Sequence, residues 1–139
     1  MKRTPPTPLQ RARLERALIR AAHTPNEQRD ASILRVIRSI PKGKTAAYSA
    51  VAAAAGYPLY HRLVARLLSL HGPSLPWQRV TGAGGEIRLR YGSALEQRTR
   101  LEMEGVAFRG RRIDPRHILS SEDLVCLGLK SRAAPSRPR

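Results

Sequence analysis

A thiol is the first place to look for covalent chemistry, and this 139-residue sequence has one, Cys126. A single cysteine cannot form an internal disulfide, and with no second cysteine it cannot seed a common zinc site. Its neighbours Val125 and Leu127 are apolar, which suits a small buried side chain better than an activated nucleophile. No other pattern asks for a metal or cofactor. The cations carry a different chemistry. Of 26 basic residues only Lys2, Lys42, Lys44 and Lys130 are lysine, the rest are arginine, and the formal net charge is +16. Arginine offers a planar fork that grips phosphates and stacks on bases. A GC-rich coding sequence would favour arginine over lysine, but it does not explain the net charge. No acid occurs from Ala31 to Gly85, while Arg35, Arg38, Lys42, Lys44, Arg62, Arg66 and Arg79 all fall there. A surface of one sign suits a polyanion, with nucleic acid preferred over an anionic membrane.

These residues need a scaffold, and the length suits one domain with tails. Hydrophobic residues make up 41%, but with one Phe and one Trp the core must be largely aliphatic. Residues 1–27 read as a basic N-terminal arm, partly disordered or helical, with a possible amphipathic helix from Leu9 to Ala22. Thr24-Pro25-Asn26-Glu27 reads as a capping box. It opens a helix with Ile33, Val36, Ile37 and Ile40 on one stripe, ended by Pro41-Lys42-Gly43. Thr45 to Ala55 reads as an alanine-rich helix closed by Gly56, and Pro58 opens another to about Leu70, with Leu59, Leu63, Val64, Leu67 and Leu68 inward. Two short helices around Gly56-Tyr57-Pro58 make a helix-turn-helix. Pro76 to Val80 and Glu86 to Tyr91 read as the strands of a small wing. Ser93 or Ala94 to Glu104 reads as a helix with Leu95, Leu101 and Met103 partly inward, stopped by Gly105. Beyond Gly110, Ile113, Ile118, Leu119, Leu124 and Leu127 add at most a strand and a turn. The expected fold is mainly α, a winged helix-turn-helix-like domain over residues 28–120 with a short β-hairpin wing and a basic C-terminal tail, 121–139.

Three segments resemble, in order and approximate spacing, the DNA-binding domain of the O6-alkylguanine-DNA alkyltransferase family. They are Ile40-Pro41-Lys42-Gly43-Lys44-Thr45 with Tyr48, then Gly56-Tyr57-Pro58 with Arg62-Leu63-Val64, then Pro76-Trp77-Gln78-Arg79-Val80 with Gly85 and Glu104-Gly105-Val106. The resemblance spans about Ile33 to Ile113. The family's alkyl acceptor is a cysteine in Pro-Cys-His-Arg-Val, made a thiolate by a histidine and glutamate relay. Trp77 stands in the cysteine's place and Gln78 in the histidine's. Indole is no nucleophile for this displacement, and an amide cannot shuttle the proton. Tryptophan there marks the alkyltransferase-like proteins, which bind alkylated guanine and pass it to nucleotide excision repair. Gln78 for histidine and Ser49 for glycine depart from that group's pattern, and Gln78 can still hydrogen-bond Glu104.

The resemblance implies duplex DNA containing alkylated guanine as the partner, the second helix of the pair in the minor groove, and a flipped base. It implies that Arg62 fills the vacated stack and that Tyr48 presses on the 3′ phosphate, with Thr45, Ala65 and Arg66 at the DNA surface. It places Pro76, Trp77, Arg79, Arg90 and Val106 around the lesion pocket, Arg90 stacking on the extruded base. Ala65 and Ser69 are small enough for a close approach to a narrow groove, yet they would equally suit packing against the preceding helix. Arg62, Tyr48 and Trp77 would otherwise read as a surface cation and two core aromatics. The implied function is non-enzymatic lesion recognition by a monomer, with nucleotide excision repair proteins as further partners. A winged helix-turn-helix transcription regulator is the alternative, though no dimer interface or base-reading side chain supports it. The sequence contains no run of about 18 apolar residues and no apolar stretch behind its first charges, so the expected location is the cytoplasm, with the nucleoid.

Overall fold

The computed structural model describes residues 4–22 and 26–133. Helix α1 (Pro8–Ala22) begins with a reciprocal cap. Thr7 Oγ1 accepts the Gln10 amide N–H at 3.2 Å and Gln10 Oε1 accepts that of Thr7 at 2.8 Å, so two orphan donors of the first turn are satisfied. Helix α2 (Glu27–Ser39) is capped by Asn26, whose Oδ1 accepts from Arg29 N at 2.9 Å. The expected cap, Thr24, lies outside the described residues with Pro25. Asparagine caps as well as a hydroxyl does and stands nearer the apolar stripe.

The alanine-rich segment departs from expectation. Thr45–Ala47 is a strand, β1, and the helix that follows, α3, covers Tyr48–Ala54. Alanine favours a helix in isolation, but tertiary pairing overrides a preference of a few tenths of a kcal/mol. β1 lies between β2 (Val80–Thr81) and β5 (Ile118–Leu119), parallel to both, with Ala46 opposite Val80 on one side and Leu119 on the other. Helix α4 (His61–His71) starts three residues later than Pro58 suggests, because Leu59 takes a left-handed φ of 75° in the connecting turn. Leu59 is 64% exposed rather than inward.

The expected wing between Pro76–Val80 and Glu86–Tyr91 does not form. Trp77–Arg79 coils into a 3-10 turn, and Val80–Thr81 joins β1 instead. The return segment keeps only an antiparallel bridge from Glu86 to Arg112. The short hairpin of the fold is β3 (Phe108–Arg109) with β4 (Arg112–Ile113), turned at Gly110. Helix α5 (Tyr91–Met103) buries Leu101 and Gln97. Leu95 and Met103, expected partly inward, are 68% and 82% exposed.

The segment expected as a tail opens with helix α6 (Ser121–Ala133), packed against α2 and α3. Ser120 and Asp123 form its cap, each backbone N–H donating to the other's side chain, at 2.9 Å from Ser120 and 3.1 Å from Asp123. Two apolar clusters result. Ile33, Ile37, Val51, Val64, Leu67 and Leu124 belong to the larger one, between α2, α3, α4 and α6. Leu101, Val106 and Ile113 form the smaller one beneath α5 and the hairpin. Strand alternation in β5 divides them, since Leu119 packs on the larger and Ile118 on the smaller. The molecule is a mainly α, winged-helix-like domain.

Candidate functional site

A cleft of about 750 Å³ opens between α4 and α5, with the Pro76–Gln78 segment joining them and Tyr48 on its wall. Its α4 side is Ala65, Leu68 and Ser69, and its α5 side is Ser93, Glu96, Gln97 and Arg100. The helix-turn-helix sets the α4 side by spacing. Leu63, Val64 and Leu67 are buried, which turns Arg62, Ala65, Arg66 and Ser69, spaced i, i+3, i+4, i+7, out to the surface.

Side chains from α5 and the residue beyond it hold the Trp77 turn. Gln97 is 1% exposed and donates from Nε2 to the carbonyls of Gln78 and Val80, at 3.1 and 3.0 Å. Gln78 Nε2 donates to Glu104 Oε2 at 3.3 Å, as its side chain allows. The Arg100 guanidinium lies 5.6 Å from the centre of the Trp77 ring. It is tied there by Glu96, one turn earlier, at 3.0 Å. A cation so placed makes the indole wall of the cleft electropositive, and the contact is worth about 0.5–2 kcal/mol.

Arg79 takes another role from the one expected. Its guanidinium grips Glu104, with Nη2–Oε2 at 2.6 Å and Nε–Oε1 at 3.1 Å, and Nη1 donates to the Ile40 carbonyl at 2.8 Å. It is a strut joining the end of α2 to the end of α5, not part of the cleft wall. Partial burial opposes ionisation of Glu104, but the Arg79 hydrogen bonds and charge, the Gln78 hydrogen bond and the Lys42 charge together hold its carboxyl below the usual range. Burial pushes the Tyr48 phenol up, against the opposing charge of Arg88. The hydroxyl therefore stays protonated at neutral pH and keeps its hydrogen to donate.

Of the other expected site residues, Pro76, Trp77, Ala65 and Tyr48 share the cleft. Arg66 is exposed on the same stripe of α4. Arg62 lines a smaller groove of about 300 Å³ against α1. Thr45 is fully buried and its hydroxyl donates to the His117 carbonyl at 3.3 Å, so the side chain has no surface to offer DNA. Val106 is 3% exposed in the smaller core rather than at the cleft edge. Arg90 is exposed just ahead of α5 and outside the cleft wall, next to Leu89, which lines it. Cys126 is exposed on α6, not buried as its apolar neighbours suggest, and does not line the cleft. Sequence reasoning missed Glu96, Gln97 and Arg100. For Glu96 and Arg100 their i, i+4 ion-pair spacing was the available signal, and Gln97 carried none.

Residues 28–106 match the family described as 6-O-methylguanine DNA methyltransferase, DNA binding domain. The chain belongs to this family. Within it, the chain is 42% identical over 76 residues to a DNA base-flipping protein of Vibrio parahaemolyticus, covering 53% of this chain and 76% of that protein. It is 44% identical over 71 residues to alkyltransferase-like protein 1 of Schizosaccharomyces pombe, covering 48% of this chain and 66% of that one. A solved structure of S. pombe Atl1 in complex with damaged DNA containing O6-carboxymethylguanine superposes with a TM-score of 0.60 at 25% identity, over 70% of this chain and 99% of that chain. A second structure of the S. pombe protein with DNA gives a TM-score of 0.59. The resemblance in the three segments thus extends to the fold. No helix among the described residues is long and apolar enough to cross a membrane.

Proposed function

We propose that this protein recognises O6-alkylguanine in duplex DNA, extrudes the damaged nucleotide into the cleft between α4 and α5, and leaves it chemically unchanged for nucleotide excision repair. One observation carries the reading: the cleft is walled by Trp77 with Arg100 against it, while the chain's single thiol sits on α6, away from it. Such a cavity can receive a planar base and has no sulfur to accept an alkyl group. In this reading α4 enters the minor groove with its small residues, Ala65 and Ser69, leading to the cleft. Arg62, at the start of α4, fills the gap left in the stack, where a planar guanidinium can face the orphaned cytosine. Tyr48 donates to the phosphate that must rotate. Arg90 reaches the cleft mouth from beside Leu89, and Arg100 supplies the cation behind the indole. Without a reaction geometry to enforce, the cleft tolerates alkyl groups of different size.

The test compares one duplex with and without a single O6-methylguanine, at fixed salt, using a methyl-labelled lesion. The lesion duplex should bind more tightly, no label should transfer to the protein, and Trp77→Ala should reduce the preference about 5- to 150-fold, the range for loss of a base–aromatic stack. Equal affinities across a salt series would mean a generic basic domain. Label on a peptide containing Cys126 would mean a transferase.

A further inference from the structure

Helix α1 lies outside residues 28–106, the part of the chain that matches the family. Its placement is nonetheless specific. Leu14, Leu18 and Ile19 line a groove against Leu59, Tyr60 and Leu63, at the end of α4 that bears Arg62. The charges of α1 are sorted by face. Arg11 and Glu15 share the groove side with Leu14 and Leu18, at i, i+3, i+4, i+7 spacing. Arg13, Arg16 and Arg20 recur at three- and four-residue intervals on the opposite side. Glu15 is the one carboxylate of the helix, and it faces α4. The charged side chains of the outer face are therefore all cationic, beside the exposed Leu9. On the groove side, Arg11 lines the cavity together with His61 and Arg62 at the start of α4.

We propose that α1 is a second DNA-binding element, whose outer arginines, Arg13 and Arg16 foremost, hold backbone phosphates flanking the stretch of duplex that α4 enters. Arginines of one sign suit a polyanion, and α1 packs beside the start of α4; the proposal rests on α4 being the groove element. Fifteen helical residues span about 22 Å, enough to run alongside about six base pairs. Contacts of this kind add affinity without reading the lesion. Phosphate contacts position a protein, and only contacts to the base discriminate.

The experiment titrates Arg13→Gln/Arg16→Gln against paired duplexes, with and without O6-methylguanine, from about 50 to 300 mM salt. Glutamine keeps helix propensity, and circular dichroism checks that α1 persists. Each lost phosphate contact lowers the slope of log affinity against log salt by about 0.9. The double variant should therefore lose close to two units of slope, weaken both duplexes by the same factor, and keep the lesion preference intact. Arg13→Lys/Arg16→Lys should retain the slope. Unchanged affinity and slope overturn the proposal and leave the face for a protein partner. A loss of lesion preference alone also overturns it, because α1 would then act through Arg62. A wild-type protein with no lesion preference would defeat the lesion reading while leaving the slope comparison valid.

Discussion

Arg79 stands two residues from Trp77, yet its work is done in the interior. Its side chain and that of Glu104 are only 14% and 9% exposed, and the pair closes on the Ile40 carbonyl. Removing one member of such a pair leaves a buried charge without its partner, which costs about 3–5 kcal/mol. Arg79→Met should lose about that much at pH 7 in urea unfolding, with lesion preference falling as the Trp77 turn loosens. The pH dependence gives the sign. In the parent protein the carboxyl of Glu104 titrates below the usual carboxylate range when folded. Its contribution to stability is therefore complete above the unfolded value and fades as pH falls through the folded one. In the variant the Arg79 hydrogen bonds and charge are lost while burial still opposes ionisation, so the deficit should shrink as pH is lowered from 7 toward 4. A deficit that grows in acid would show that Arg79 does not set the ionisation of Glu104.

At the scale of elements, α6 distinguishes the molecule from a bare helix-turn-helix with a tail. Leu124 is 2% exposed within the larger core. Leu124→Ala should cost about 2–5 kcal/mol, the range for a buried leucine, measured by chemical denaturation. A residue on a solvated tail would change stability by less than about 0.5 kcal/mol. The sequence carries a sign of this helix in Ser120-Ser121-Glu122-Asp123, a cap pattern ahead of Leu124 and Leu127. Legibility followed the range of the interactions. The stripe of Ile33, Ile37 and Ile40 and the pair α3–α4 are local in origin, and periodicity revealed them. β1 was unreadable, because three small residues become a strand only through partners 34 and 73 positions along the chain, at Val80 and Leu119. The site divided in the same way. Tyr48, Ala65, Pro76 and Trp77 came from the family resemblance, whereas the inward turn of Arg79, the burial of Thr45 and Val106, and the α5 wall depend on how the elements dock.

For the whole molecule, charge sets two opposed responses to salt. A net formal charge of +16 on 139 residues destabilises the folded state by self-repulsion, while the same cations attract a polyanion. Screening shortens from about 10 Å at 0.1 M to about 3 Å at 1 M. Added salt should therefore raise the Tm of the free protein by several degrees, since about 1 kcal/mol corresponds to about 4 °C. It should weaken DNA binding by orders of magnitude over the same range. A Tm that falls with salt would show that the arginine–carboxylate pairs on α5 and the hairpin outweigh the repulsion.

The order β2-β1-β5 also governs when the molecule can exist at all. Every helix that shapes the cleft lies within the first 103 residues, but the strand at the centre of the sheet waits for Ile118 and Leu119. On a ribosome, a nascent chain can thus display α4 and the Trp77 turn before the far edge of β1 has anything to pair with. Pairings so distant in sequence close slowly, because loop entropy must be overcome before they stabilise anything. Until Leu119 emerges, the outer edge of β1 lacks the partner that completes the sheet behind α4 and the Trp77 turn.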